Sequence, residues 1–363
     1  MTDLFQPLTL ARGPAWKNRF MLAPLTNTQS HPDGVLSDEE FHWLTLRAKG
    51  GFGLTMTCAA HVQAVGQGFP GQLGCFDDKH LPGLTRLASA LKAAGSVSSL
   101  QIHHAGNRSP KELVGTPVCP SDDAKSGARG LTLPEVEVLR DAFIAAAVRA
   151  EKAGFDGVEI HGAHGYILAQ FLSSEINHRT DQYGGSLENR ARIILEIIDG
   201  IRAQTNPNFQ LGLRLSPERF GLQLAEIRGV AAEVLRGQKI DFLDMSLWDF
   251  AKEPNEEPHK GRTLMSYFTD LPRGQTRLGA AGKIMTGPQA QSVLDAGADF
   301  AVIGRAAILR HDFVKRVQAN ANYASPATPV TVEHLTTEGL SPAFVKYMRQ
   351  WPGFVEAEAT TAA

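Results

Sequence analysis

The chain has 363 residues, with 36 Lys plus Arg against 38 Asp plus Glu and a formal charge of −2. That balance excludes a strongly basic footprint, so nucleic acid is not an expected partner. Apolar residues make up 43% and charged residues 20%, as in a folded globular chain and not a disordered one. The three cysteines, Cys58, Cys75 and Cys119, form no CxxC pair, which excludes a disulfide framework and a four-thiolate iron–sulfur cluster held by one chain.

From Met1 to Leu10 there is an acid at Asp3, no basic stretch and no long apolar core, and no apolar run anywhere approaches about 18 residues. No membrane segment is expected, and the cytoplasm is the expected compartment. Short, mostly apolar runs then alternate with helical patterns. A strand at Arg19–Ala23 precedes a helix at 38–49, which has Ser37 as its N-cap. A strand at Gly53–Thr57 is followed by a helix at 79–94 that ends at Gly95, and a third strand runs Val97–Ile102. A long loop at 104–133 leads to a helix at 134–153, framed by Pro134 and Gly154. The fourth strand, Gly157–His161, is followed by a helix at 187–204 that stops before Asn206-Pro207. Gln210–Leu215 is the fifth strand, with a helix at 223–236, and Phe242–Ser246 is the sixth, followed by a second long loop at 247–280. Gly282–Met285 with a helix at 288–296, and Phe300–Gly304 with a helix at 305–318, complete eight βα units.

Eight such units predict the α/β class and a closed (β/α)8 TIM barrel, a single domain over residues 1–355 with elaborated βα loops. An open doubly wound sheet would want an early GxGxxG between the first strand and its helix, and none is present. Residues 356–363 are expected to be a disordered tail.

In a barrel of this kind the site lies at the C-terminal ends of the strands. The first strand end delivers Pro24 and Thr26; Thr26 reads equally as a turn former or as a hydroxyl donor. The third delivers Gln101, an amide suited to a heterocycle edge, although a satisfied core glutamine is as plausible in isolation. The fourth delivers His161, His164 and Tyr166 among glycines. A metal reading lacks both the helical HExxH pattern and a nearby third ligand, so no metal is expected. Two N–H donors that polarise a bound oxygen, beside a phenol that can give a proton, read as an electrophile and general acid. Arg214 at the fifth strand end needs an acceptor, either Glu159 or Glu218 or an anionic ligand edge. Gly287, Gly304 and Arg305 at the last two strand ends suit a phosphate, and GxxxxGK[ST] is absent. The residues thus describe a barrel that binds a phosphorylated ligand and activates a second molecule.

At these residues the chain resembles the old yellow enzyme family of FMN-dependent ene-reductases, over about Leu4 to Asp312. The segments that carry the resemblance are 18–26 (NRFMLAPLT), 101–106 (QIHHAG), 161–166 (HGAHGY) and, most specific, 177–190 (NHRTDQYGGSLENR). The resemblance implies non-covalent FMN, with Pro24, Thr26 and Ala59 near the ring's N5 and O4 edge, Gln101 on its pyrimidine edge and Arg214 facing N1 and O2. It assigns the phosphate to Gly287, Gly304 and Arg305, the substrate oxygen to His161 and His164, and proton donation to Tyr166. The implied reaction passes a hydride from NADPH or NADH to the flavin and then to Cβ of an enone or nitroalkene, with protonation at Cα. The chain departs from some members in having Thr26 where they have Cys, Thr28 where they have Tyr, Asn107 before Arg108, and the segment 247–250 (LWDF). The expected partners are small molecules; a homo-oligomer is left open. Two readings stand beside this one: a non-catalytic flavin-binding barrel, and a flavin-free barrel acting on a phosphorylated metabolite.

Overall fold

A computed structural model describes residues 3–357. Part of the tail expected at 356–363 therefore lies outside the described residues. Eight parallel strands close into a barrel: β1 (Phe20–Leu22), β2 (Leu54–His61), β3 (Val97–His103), β4 (Gly157–Gly162), β5 (Gln210–Leu215), β6 (Phe242–Ser246), β7 (Arg277–Ala281) and β8 (Phe300–Ile303). Each strand pairs with its neighbours in sequence, and β1 closes the ring on β8. Six helices of nine residues or more alternate with the strands: α1 (Asp38–Lys49), α2 (Leu81–Ala93), α3 (Leu133–Lys152), α4 (Leu187–Gln204), α5 (Leu224–Gly237) and α6 (Gly287–Asp295). Four shorter ones follow β8: α7 (Arg305–Leu309), α8 (Phe313–Ala319), α9 (Val332–Thr337) and α10 (Pro342–Met348).

Local chemistry sets the helix ends. Ser37 accepts from the Glu40 N–H at α1, Thr132 and Glu135 form a reciprocal capping box at α3, and Ser186 caps α4. In α4, Ile193, Ile194, Ile197, Ile198 and Ile201 recur at helical spacing and are all buried against the barrel.

The strands alternate between two cores. Leu213 and Leu215 of β5, Leu243 and Met245 of β6, and Leu278 and Ala280 of β7 pack outward under the helices. Met21, Leu54, Met56, Phe242, Phe300 and Val302 form a separate cluster with Trp16. The indole of Trp16 meets Phe300 at 4.9 Å and Phe242 at 5.6 Å between ring centroids, both edge-on. These rings fit because Gly212 and Gly279 face them: a Cβ there would lie 2.2 Å from the Phe242 ring and 2.0 Å from the Phe300 ring. The apolar plug fills the lower barrel and leaves its upper layer to polar residues.

Three elements differ from the sequence reading by more than two residues. β2 runs on to His61, four residues past the expected end at Thr57. The seventh strand is Arg277–Ala281, overlapping the end of the loop expected at 247–280, and Gly282–Met285 is the turn after it. Its small residues give weak β propensity, and its place is set by pairing with β6 and β8. The helix expected at 305–318 is broken at Arg310, whose backbone is extended, so that Arg310 and His311 both reach Glu338.

Candidate active site

At the C-terminal end of the barrel two adjoining cavities, of about 270 and 180 Å³, share Pro24, Leu25, His164, Arg305 and Trp351 in their walls. They form one trough across the barrel mouth. Gly304 and Arg214 line one half; Thr26, Ala59, Gln101, His161 and Tyr166 line the other; Arg305 and His164 border both. Ala59 reaches the trough because the β2–β3 register shifts between Met56 and Ala59, which reverses the facing of the strand's end.

Below the trough, the inward positions of β3 to β6 carry a buried polar layer. Gln101 Nε2 donates to Glu159 Oε1 at 2.7 Å. Arg214 Nε stands 3.0 Å from Asp244 Oδ2, and neither side chain is more than 6% exposed. The carboxylate beside Arg214 is thus Asp244, one strand over, and not Glu159 or Glu218 as the sequence suggested; Glu218 instead pairs with Lys252. Burial chiefly, with the neighbouring Asp244 adding to it and Arg214 and Gln101 opposing, pushes Glu159 up to about 8. Glu159 Oε2, Arg214 Nε and both Asp244 carboxylate oxygens are buried without an aligned hydrogen-bond partner. Unsatisfied groups of this kind under an open cavity point to a polar ligand above them.

The β4 end is built on a tight turn. His164 has φ +59° and Gly165 +69°. The His164 N–H donates to Ser216 Oγ at 2.9 Å, and the Arg108 guanidinium donates to its carbonyl. His161 Nε2 and His164 Nδ1 lie 3.3 Å apart, and the ring centroids of His161 and Tyr166 5.2 Å apart. Burial chiefly holds both histidines well below the ordinary range, helped at His161 by the imidazoles of His164 and His103 and then by Arg214 and Arg108, and at His164 by Arg214 and Arg108, so both are neutral. Burial raises the Tyr166 phenol against the pull of Arg108.

Of the residues expected for the phosphate, Gly304 and Arg305 line the trough, where the first N–H groups of α7 lack helical acceptors. Gly287 does not line it: its N–H donates to the Tyr323 carbonyl at 2.9 Å, and a Cβ there would meet the Ala321 carbonyl. With the seventh strand ending at Ala281, the residues at that strand end are Gly282, Lys283, Ile284 and Met285. Sequence reasoning also missed the outer wall: Trp248 is 57% exposed, Trp351 is 41% exposed, and Phe69, Tyr347 and Met348 line the half that holds His161 and Tyr166. The LWDF segment was the one signal that could have marked Trp248. His103, in the 101–106 motif, has its ring centroid 4.4 Å from that of Tyr166, a contact that the motif alone does not reveal. Among the described residues no group of three or more His, Cys, Asp or Glu is placed to hold a metal, and no helix is long and apolar enough to cross a membrane.

A polar layer under a barrel-mouth trough that is bordered by a cationic helix start and by paired imidazoles is the plan of a flavin-binding TIM barrel. The profile of the NADH:flavin oxidoreductase / NADH oxidase family matches residues 3–323, and the chain belongs to that family, which is that of old yellow enzyme. It is an NAD(P)H:flavin oxidoreductase with FMN as its cofactor. The chain is 36% identical over 327 residues to a Bacillus subtilis protein named "Probable NADH-dependent flavin oxidoreductase YqiG", covering 87% of each chain. It is 34% identical over 361 residues to an NADPH dehydrogenase of the same organism, covering 96% of this chain and 99% of the relative. Among solved structures, an old yellow enzyme homologue from Zymomonas mobilis superposes with a TM-score of 0.80 at 27% identity, covering 93% of this chain and 98% of the other. A 2-naphthoyl-CoA reductase superposes at 0.79 and 28% identity over 87% of this chain, which spans about half (52%) of that longer protein.

The residues present fit FMN. Gln101 has a carbonyl oxygen and a second N–H beyond its bond to Glu159, and would hold the ring's polar edge. Arg214 would meet the edge where negative charge gathers, and Gly304 with Arg305 would take the phosphate.

Proposed function

We propose that the protein is an ene-reductase, reducing the C=C bond of enones or nitroalkenes at the expense of NADPH or NADH. The observation that carries this reading is the convergence of His161, His164 and Tyr166 on the part of the trough that also holds Thr26 and Gln101. When bound, the flavin supplies the hydride chemistry, taking two electrons from the nicotinamide and passing them on. The protein's own part is electrostatic and geometric. His161 and His164 are neutral N–H donors in a site that burial keeps poor in water, suited to a carbonyl or nitro oxygen as charge develops on it. Tyr166, held in its protonated form, would give the proton to Cα. The mouth, walled by Trp351, Tyr347 and Met348, would hold the substrate flat over the site.

The test separates the two halves of the cycle. Holoenzyme is reduced with NADPH or NADH and then mixed anaerobically with 2-cyclohexenone or a nitrostyrene. Rapid reoxidation with formation of the saturated product supports the reading. His161→Ala and His164→Ala should each slow that step by roughly 10²-fold, with a smaller effect on reduction by the nicotinamide. Wild-type enzyme that reduces neither class of alkene would leave only the general flavin oxidoreductase assignment standing.

A further inference from the structure

His161 and His164 are two links in a longer chain of hydrogen bonds. The main-chain N–H of Ala163 donates to His161 Nδ1 at 3.2 Å, so the single proton of neutral His161 sits on Nε2. His161 Nε2 lies 3.3 Å from His164 Nδ1, and His164 Nε2 lies 2.7 Å from Ser246 Oγ. Ser246 is the last residue of β6, half-buried beneath the histidine turn.

This chain admits two proton arrangements. In the first, His161 Nε2–H donates to His164 Nδ1. His164, also neutral, then carries its proton on Nε2 and donates to Ser246. The pair satisfies itself and directs only one N–H toward the space between the rings. In the second, His161 keeps Nε2–H while His164 carries Nδ1–H, so both donors face one point and can meet a single oxygen. His164 Nε2 is then an acceptor and needs a donor. Only a group that can both accept and donate serves both arrangements, and a hydroxyl does so by rotating.

We propose that Ser246 is a positioning residue that sets the tautomer of His164. Its hydroxyl accepts from His164 Nε2–H in the resting site and donates to Nε2 when an oxyanion is bound; on that change Nε2 loses its proton to solvent water and Nδ1 takes one from it, so that the proton stands on Nδ1 beside His161 Nε2–H. The number of protons on the histidine pair is the same in both states; only their positions change. The proposal rests on the reading that the pair binds the substrate's oxygen.

The experiment uses the FMN-loaded enzyme labelled with 15N-histidine, with a para-substituted phenolate as a planar oxyanion probe. On addition of phenolate, the 15N shifts of His164 should change from the Nε2–H to the Nδ1–H pattern. Ser246→Ala should bind the phenolate roughly tenfold more weakly, as one neutral donor's support is lost, and should keep His164 in the Nε2–H form. Ser246→Thr should restore both. If His161→Ala binds phenolate as tightly as wild type, the oxygen-binding reading itself fails. If His161→Ala binds weakly but Ser246→Ala matches wild type in affinity and shifts, the role of Ser246 alone is overturned. Should Ser246→Ala fail to hold flavin, the wild-type spectra decide: a His164 tautomer indifferent to phenolate overturns the proposal.

Discussion

His164 holds a left-handed backbone that costs a non-glycine residue about 1 kcal/mol. Ser216 and Arg108 hold it there through its N–H and its carbonyl, and Arg108 also lies 4.8 Å over the ring of Tyr166. The strain places an imidazole where a relaxed turn would aim it elsewhere, and the same cation ties histidine and phenol together. Because burial keeps Tyr166 protonated, its contribution should appear only where a proton is delivered. Tyr166→Phe should slow alkene reduction by roughly 10²-fold, at the low end for a general acid, and leave flavin reduction by the nicotinamide nearly intact. Stopped-flow measurement of each half-reaction checks this; a defect confined to the nicotinamide step would assign Tyr166 to coenzyme binding instead. The residue types at this strand end were readable in order along the chain. The left-handed turn and the Ser246 contact were not, because both depend on neighbours more than 50 residues away.

The most specific sequence motif, residues 177–190, places no residue in the wall of the trough. It is a clasp between β4 and α4. Asn177 donates to the Phe171 and Tyr183 carbonyls at 2.8 and 2.7 Å, Arg179 pairs with Asp181, and the Tyr183 hydroxyl donates to Glu196 at 2.7 Å. Arg190, only 5% exposed, bonds the Leu172 carbonyl and pairs with Glu226 on α5. The segment between them carries His164 and Tyr166, so the motif supports the site through the backbone. Arg190→Met should lower stability by about 3 kcal/mol, because it leaves a partly buried carboxylate and a carbonyl without their partner. Activity per folded molecule should change little. A urea midpoint close to wild type would show that the clasp is redundant.

Across the whole molecule, the chain after the barrel returns to wall its mouth. Glu338, at the end of α9, accepts from the Arg310 guanidinium at 2.8 Å and from the His311 ring and backbone at 2.6 Å each. Arg47, buried in α1 with its cation 4.1 Å over Trp43, bonds the Ala307 carbonyl in the middle of α7. Trp43 in turn meets Phe344 of α10 edge-on at 5.4 Å between ring centroids, so that Glu338 and the Trp43–Phe344 contact together hold the segment bearing Tyr347, Met348 and Trp351 beside the helix that starts at Arg305. Burial alone would raise the Glu338 carboxyl, but the His311 bonds and the charge of Arg310 outweigh it and hold it down at about 2. A carboxylate whose folded value lies below its unfolded one stabilises the fold above the unfolded value, about 4.5, and loses that contribution as pH falls toward about 2. Lowering the pH from 5 to 3 should therefore loosen the C-terminal wall, read as a change in tryptophan emission, while Glu338→Gln should be destabilised already at pH 7 and show a flatter acid limb. Equal acid sensitivity in both proteins would count against this tie.

Sequence alone determined the barrel and the list of chemistry-bearing strand ends, because short apolar runs, capped amphipathic helices and turn glycines are local signals. It also reached Gly304, Arg305, Gln101 and the His161–Tyr166 cluster, since each lies at or just past the end of a strand. Tertiary structure decided which of these meet. Asp244 as the partner of Arg214, the seventh strand at Arg277–Ala281, Gly287 turned to Tyr323, and Trp351 at the mouth all depend on register and on chain returning from far along the sequence. The register is set where Phe242 and Phe300 fill the space left by Gly212 and Gly279. That is a packing fit between residues on different strands, and no local pattern in the sequence records it.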